Sequence, residues 1–186
     1  MGKGLVMLFH KEENGPLFEK KIIALKARYS LLSLNELEQL LIQKRGTKNI
    51  CHISFDDGEQ SFYNIIFPLL KKYNVSVSLF VSPDMISTNS NFWFQEVEGY
   101  DEKIMKGILL HQLNVSAGKL KKFSFQSIFK CLSVNRIKNF IELYQQQTKC
   151  GKKAPQNMNT AQLKELESSG LVTIGAHTLN HPVLKK

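Results

Sequence analysis

Asp56 and Asp57 stand side by side in Ser54-Phe55-Asp56-Asp57-Gly58, and far downstream His177 and His181 lie four residues apart in His177-Thr178-Leu179-Asn180-His181. Carboxylate oxygens and imidazole nitrogens are the donors of mononuclear hydrolytic metal sites, which take three protein ligands and leave a position open for water. The set supplies three such ligands, with one carboxylate left over to act as a base. Zinc is the first expectation, and the same donors accept iron(II) or cobalt. Each half has a plainer reading on its own: Asp-Asp-Gly makes a surface turn, and histidines at this spacing are often structural. Two adjacent acids repel, so burying both without a cation is costly. Their combination, each half just past a strand, points to a site.

The elements that must position these residues read as strands alternating with helices. Leu5-Val6-Met7-Leu8-Phe9 is a short apolar run suited to a strand buried on both faces. Phe18, Ile22 and Leu25 then recur at helical spacing, ending near Tyr29-Ser30. Ser33 and Glu36 fit a capping box whose helix continues through Leu37, Leu40 and Leu41 and is ended by Gly46. The next strand, Ile50–Phe55, delivers Asp56 and Asp57 at its C-terminal end, and Gly58 permits a sharp exit. Phe62, Ile65, Ile66, Leu69, Leu70 and Tyr73 mark an amphipathic helix, in which Pro68 predicts a kink or a later start.

Residues 75–81 form a third strand, stopped at Ser82-Pro83. Asn159 or Thr160 caps a helix through Leu163 and Leu166 that closes at Ser169-Gly170, and the strand at residues 171–175 delivers His177. Residues 87–155 break the alternation. The cluster Phe92-Trp93-Phe94 and a helix marked by Ile137, Phe140, Ile141 and Tyr144 make this a largely helical insertion in one α/β domain over residues 1–186. Ligand sites of α/β folds lie at the C-terminal ends of parallel strands, where both motifs fall.

Composition narrows the classes. The chain has 186 residues, 42% hydrophobic and 22% charged, which suits a globular domain with a substantial core. The 25 Lys and Arg exceed the 16 Asp and Glu, for a formal charge of +9. The surplus is scattered in pairs such as Lys20-Lys21 and Lys71-Lys72, which reads as a solvated basic surface rather than a block for nucleic acid. No helix-turn-helix, zinc-finger or RNP-like signature supports a nucleic-acid partner. Cys51, Cys131 and Cys150 are odd in number and lack CxxC spacing, which argues against a disulfide framework and a structural zinc knuckle. No run approaches the ~20 apolar residues of a membrane span, and no signal peptide is evident, so the expected location is cytoplasmic.

The chain resembles the polysaccharide deacetylases, the NodB-homology domain of metal-dependent carbohydrate esterases. Ser54-Phe55-Asp56-Asp57-Gly58 is similar to that family's [TS]-F-D-D-G motif, and Gly175-Ala176-His177-Thr178-Leu179-Asn180-His181-Pro182 to its H-[ST]-x-x-H motif. Met7-Leu8-Phe9-His10 resembles the family's opening strand, residues 18–40 its first helix and following stretch, and Val75-Ser76-Val77-Ser78-Leu79-Phe80-Val81 its third strand. The resemblance implies that Asp57, His177 and His181 bind the metal and that Asp56 is the general base. It implies hydrolysis of an N- or O-acetyl group on a saccharide by metal-activated water, with acetate released. It further implies an irregular (β/α) barrel. His10 lies near the strand-end mouth and reads as structural or supporting.

The family's later motifs, an Arg-x-Pro-Tyr type segment and a Leu-x-His type segment, find no counterpart before Lys186. His52 and His111 occupy no matching position. The expectation is therefore a partial, truncated barrel, complete in its metal site and lacking its acid and oxyanion parts. An open parallel edge of that kind favours self-association to cover it. A competing reading is a non-catalytic remnant that binds a glycan or protein in the same groove, with Phe92-Trp93-Phe94 as a stacking platform rather than core packing.

Overall fold

The computed structural model describes residues 4–113, 118 and 122–182. Among these, five strands form one parallel sheet: β1 (Leu5–Phe9), β2 (Ser30–Leu31), β3 (Ile50–Phe55), β4 (Val77–Val81) and β5 (Val172–Ala176). The order is β1-β3-β4-β5, with β2 pairing beside β3. Parallel neighbours need long crossovers. Helices α1 (Gly15–Arg28), α2 (Leu34–Ile42) and α3 (Phe67–Tyr73) supply them within the first half of the chain. The expected α/β fold with a parallel sheet is what forms, and the sheet is not closed into a barrel among the described residues.

Two compact units contain these elements. The first comprises Met1–Ser90 and Gln156–Leu179, and the second Asn91–Pro155 and Asn180–Lys186. In the first, β3 is buried at all six positions, as a central strand covered on both faces must be. Phe18 and Ile22 of α1, Leu70 of α3 and Leu166 of the late helix pack around Ile53, Phe55 and Leu79. Cys51 is a buried free thiol whose pKa is pushed up by burial. Strand β1 departs from expectation. As the sheet's edge it turns Met7 and Phe9 to the core, while Val6 and Leu8 stay 61% and 53% exposed.

The chain around Pro68 takes the later start. Phe62–Ile66 forms a π-helical turn that runs directly into α3 at Phe67, with Pro68 in the first turn of α3. Helix α2 ends before Gly46. Lys44 takes the left-handed position (φ 52°), and Arg45 N–H closes onto Leu40 O at 3.0 Å. Its start follows the sequence: Ser33 caps the helix, and Glu36 reaches back to the Ser33 N–H at 2.7 Å. Strand β4 begins at Val77 because the Val75 N–H is spent on Leu70 O at 3.0 Å, finishing the preceding helix.

The second unit is helical in its described part: α4 (Pro83–Ser87) precedes it, and α5 (Trp93–Val97), α6 (Glu102–Leu113), α7 (Phe125–Phe129) and α8 (Val134–Thr148) build it. Its own core gathers Met105, Leu109, Phe129, Ile137, Phe140 and Tyr144. Trp93 packs on Phe129 with ring centres 5.5 Å apart, and Phe92 is 1% exposed, so both rings serve packing. The chain then returns through α9 (Thr160–Ser168), capped by Asn159, into β5. No helix among the described residues is long and apolar enough to cross a membrane.

The Ser33 hydroxyl and backbone N–H hold the Glu36 carboxyl below its ordinary range. A depressed folded pKa stabilises the fold above the unfolded value and loses that contribution as pH falls through the folded one. Replacing Ser33 with Ala should therefore cost about 1 kcal/mol at neutral pH. Urea denaturation should show that deficit shrinking as the pH drops through the carboxylate range.

Candidate functional site

The first loop is built on Phe55. Its ring packs against Phe9 at 5.4 Å, Phe18 at 5.7 Å and Phe62 at 4.9 Å, which fixes the end of β3. The Asp56 N–H then donates to Phe9 O at 3.0 Å, and the Gly58 N–H turns back to Asp56 O at 2.9 Å. Asp57 and Gly58 are both left-handed, with φ of 71° and 79°. Asp tolerates that conformation through its short polar side chain. Gly58 is needed for a second reason: a Cβ there would lie 2.7 Å from Val81 Cγ1. The far side of the loop is braced by Met158 N–H on Gly58 O (2.9 Å) and Gln60 N–H on Gln156 O (2.8 Å).

This turn sends the two neighbouring acids to different partners. Asp56 Oδ2 lies 3.8 Å from His10 Nε2, at the end of β1, and Asp57 Oδ1 lies 3.8 Å from His177 Nε2. Asp57 is 5% exposed, and a carboxylate so buried needs positive charge or hydrogen-bond donors nearby.

The second loop leaves β5 beside β4. The His177 N–H donates to Val81 O at 2.8 Å, its carbonyl accepts from Ser82 Oγ at 2.9 Å, and Leu179 O accepts from the Asp84 N–H at 3.1 Å. Thr178 and His181 are left-handed, with φ of 61° and 52°. The His181 ring meets Phe92 and Phe94 edge-on, at 5.2 and 5.7 Å.

Asp57, His177 and His181 are a group that could hold a metal ion, each offering one ligand atom. The 3.8 Å between Asp57 Oδ1 and His177 Nε2 is too long for a hydrogen bond. Two donors at 2.0–2.2 Å from one zinc ion, at a tetrahedral angle, stand about 3.4 Å apart. One carboxylate and two imidazoles are a donor set that a divalent cation takes.

The remaining histidines are elsewhere. His52, inside β3, bonds Leu32 O through Nδ1 and Ser78 Oγ through Nε2, both at 2.9 Å. A carbonyl can only accept, so Nδ1 carries the proton. His111 is exposed on α6. Three supports escaped the sequence reading: Ser82, legible there only as a strand stop, and the brace from Gln156 and Met158, whose partners are more than ninety residues away.

A family model described as polysaccharide deacetylase matches residues 43–186. Among solved structures the chain is similar to IcaB from Ammonifex degensii, at 18% identity and a TM-score of 0.56, with 97% of this chain and 55% of that one covered. It is also similar to a de-N-acetylase from Aggregatibacter actinomycetemcomitans, at 17% identity and a TM-score of 0.50, with 96% and 55% covered. At such identities the likeness is one of fold. The chain spans about half the length of these solved structures. No curated protein matches it.

The doubly constrained Gly58 gives the test of the loop. Gly58→Ala should lower stability by about 1–3 kcal/mol, from the left-handed backbone and the contact with Val81 together. Chemical denaturation measures it, and a change within 0.5 kcal/mol or so would mean that the loop is not held as described.

Proposed function

The chain belongs to the polysaccharide deacetylase family, and from that premise we propose that it removes acetyl groups from an N- or O-acetylated saccharide at the Asp56–Asp57 and His177–His181 loops. The observation that carries this reading is the split of the two acids: Asp57 faces His177 while Asp56 faces His10. One carboxylate is thereby committed to a cation and the other kept for proton transfer.

Asp57, His177 and His181 would hold the divalent ion, zinc first among candidates, with cobalt or iron(II) able to take the same donors. Such an ion supplies Lewis acidity, lowering the pKa of a water and polarising the acetyl carbonyl. Asp56 accepts the proton of the attacking water on a carboxylate oxygen. Its side chain is 11% exposed and the neighbouring His10 59% exposed, so one is sheltered and the other open to the approach of a substrate. His10 Nε2, 3.8 Å from Asp56 Oδ2, is placed to pass a proton to the departing amine or hydroxyl. The water oxygen bonds the acetyl carbon, the C–N or C–O bond breaks, and the leaving group departs protonated beside acetate.

Metal content and acetate release separate the roles. Wild type should bind about one divalent ion per chain, and Asp57→Ala and His177→Ala should lose it. Asp56→Asn should keep the ion and lose about 10²-fold or more of acetate release from N- or O-acetylated oligosaccharides. His10→Ala should keep the ion and slow release by a smaller factor. Metal binding in wild type with no acetate from either substrate would sink the catalytic reading and favour a glycan- or protein-binding role.

A further inference from the structure

Ser82 sits at the junction of β4 and α4, fully buried, with 0% of its surface exposed. It occupies the N-cap position of α4, where a serine hydroxyl ordinarily accepts from a backbone N–H in the first turn. It makes no such bond. The hydroxyl instead donates to the backbone carbonyl of His177, ninety-five residues away, at 2.9 Å. A side chain that gives up its local cap for a remote carbonyl is fixing the remote segment.

What it fixes is the His177–Thr178 peptide. The carbonyl of one residue and the φ of the next belong to the same peptide plane, so holding the His177 oxygen helps set the backbone at Thr178. Thr178 has φ 61°, and a left-handed conformation at a β-branched residue is an outlier that surrounding contacts must enforce. The Ser82 bond lies between two backbone bonds on the same stretch, His177 N–H to Val81 O and Asp84 N–H to Leu179 O. The Ser82 hydroxyl bonds the carbonyl of the 177–178 plane itself.

We infer that Ser82 is a positioning residue for the metal-binding loop, holding the His177 carbonyl so that its imidazole stays aimed at Asp57. The inference rests on the reading of Asp57, His177 and His181 as a metal site. Partners that orient a ligand from behind contribute about 10–100-fold to metal affinity. Loss of the hydroxyl should act on affinity and on ligand geometry, beyond any general loss of stability.

The test is cobalt(II) and zinc(II) affinity by chelator competition, with the cobalt visible spectrum and a urea midpoint on the same samples. Ser82→Ala is compared with Ser78→Ala, another buried β4 hydroxyl, bonded to His52 Nε2 and away from the metal loop. Ser82→Ala should bind about tenfold more weakly or worse, with a changed cobalt spectrum. Ser78→Ala should shift the urea midpoint and leave affinity and spectrum as in wild type. Wild-type affinity in Ser82→Ala, or an equal loss in Ser78→Ala, overturns the inference while the metal site stands. No binding in wild type overturns the site reading and this inference together.

Discussion

Parallel pairing is the constraint on which the site depends. In a parallel sheet every strand finishes at the same end, so residues from distant parts of the chain arrive together without a dedicated contact. Here the ladder runs one step past the strands and into the site. The Asp56 N–H donates to Phe9 O, and the His177 N–H donates to Val81 O. The backbones of Asp56 and His177 are thus the last rungs of two strand pairs. A slip of register by one residue would turn Asp56 or His177 toward the opposite face.

The second constraint is electrostatic. Neighbouring carboxylates on an extended strand would point to opposite faces, and on a helix they would stay close enough to repel. The left-handed step at Asp57 (φ 71°) does neither, and each acid meets its own imidazole at 3.8 Å. Asp57 is buried beside His177 on one side of the turn, while Asp56 keeps some exposure beside His10 on the other. One backbone dihedral therefore gives two identical side chains different surroundings.

Much of this was legible in the residue pattern, for reasons that also mark where legibility stopped. Strand β3 reads as a strand because its short run ends at Asp56-Asp57-Gly58, and α2 and α9 announce themselves through Ser33 and Asn159 with their reciprocal caps. These are local signals. Strand β2 is only Ser30–Leu31, defined by pairing with Ile50 and Cys51, and two residues carry no period. The stop of α2 was misplaced because a lysine rather than Gly46 took the left-handed position. The exposure of Val6 and Leu8 follows from β1 lying at the sheet edge, which its apolar run does not encode. At the site, the motif residues were legible, while Met158, Gln156 and Ser82 matter only through partners distant in sequence.

Those distant partners explain how the site tolerates its strain. Eight non-glycine residues among those described have positive φ, and three of them, Asp57, Thr178 and His181, belong to the two loops. Each such residue costs on the order of 1 kcal/mol or more, and Thr178 most, because its branched Cβ crowds the carbonyl. The bonds that enforce these conformations come from structure already folded for other reasons: the end of β4, the segment at Gln156–Met158, and the aromatic packing around Phe55. The backbone of Asp56–Gly58 and of His177–Leu179 is consequently held by the sheet and its core. An ion taken by Asp57 and His177 would meet backbone already ordered, with less entropy to lose on binding.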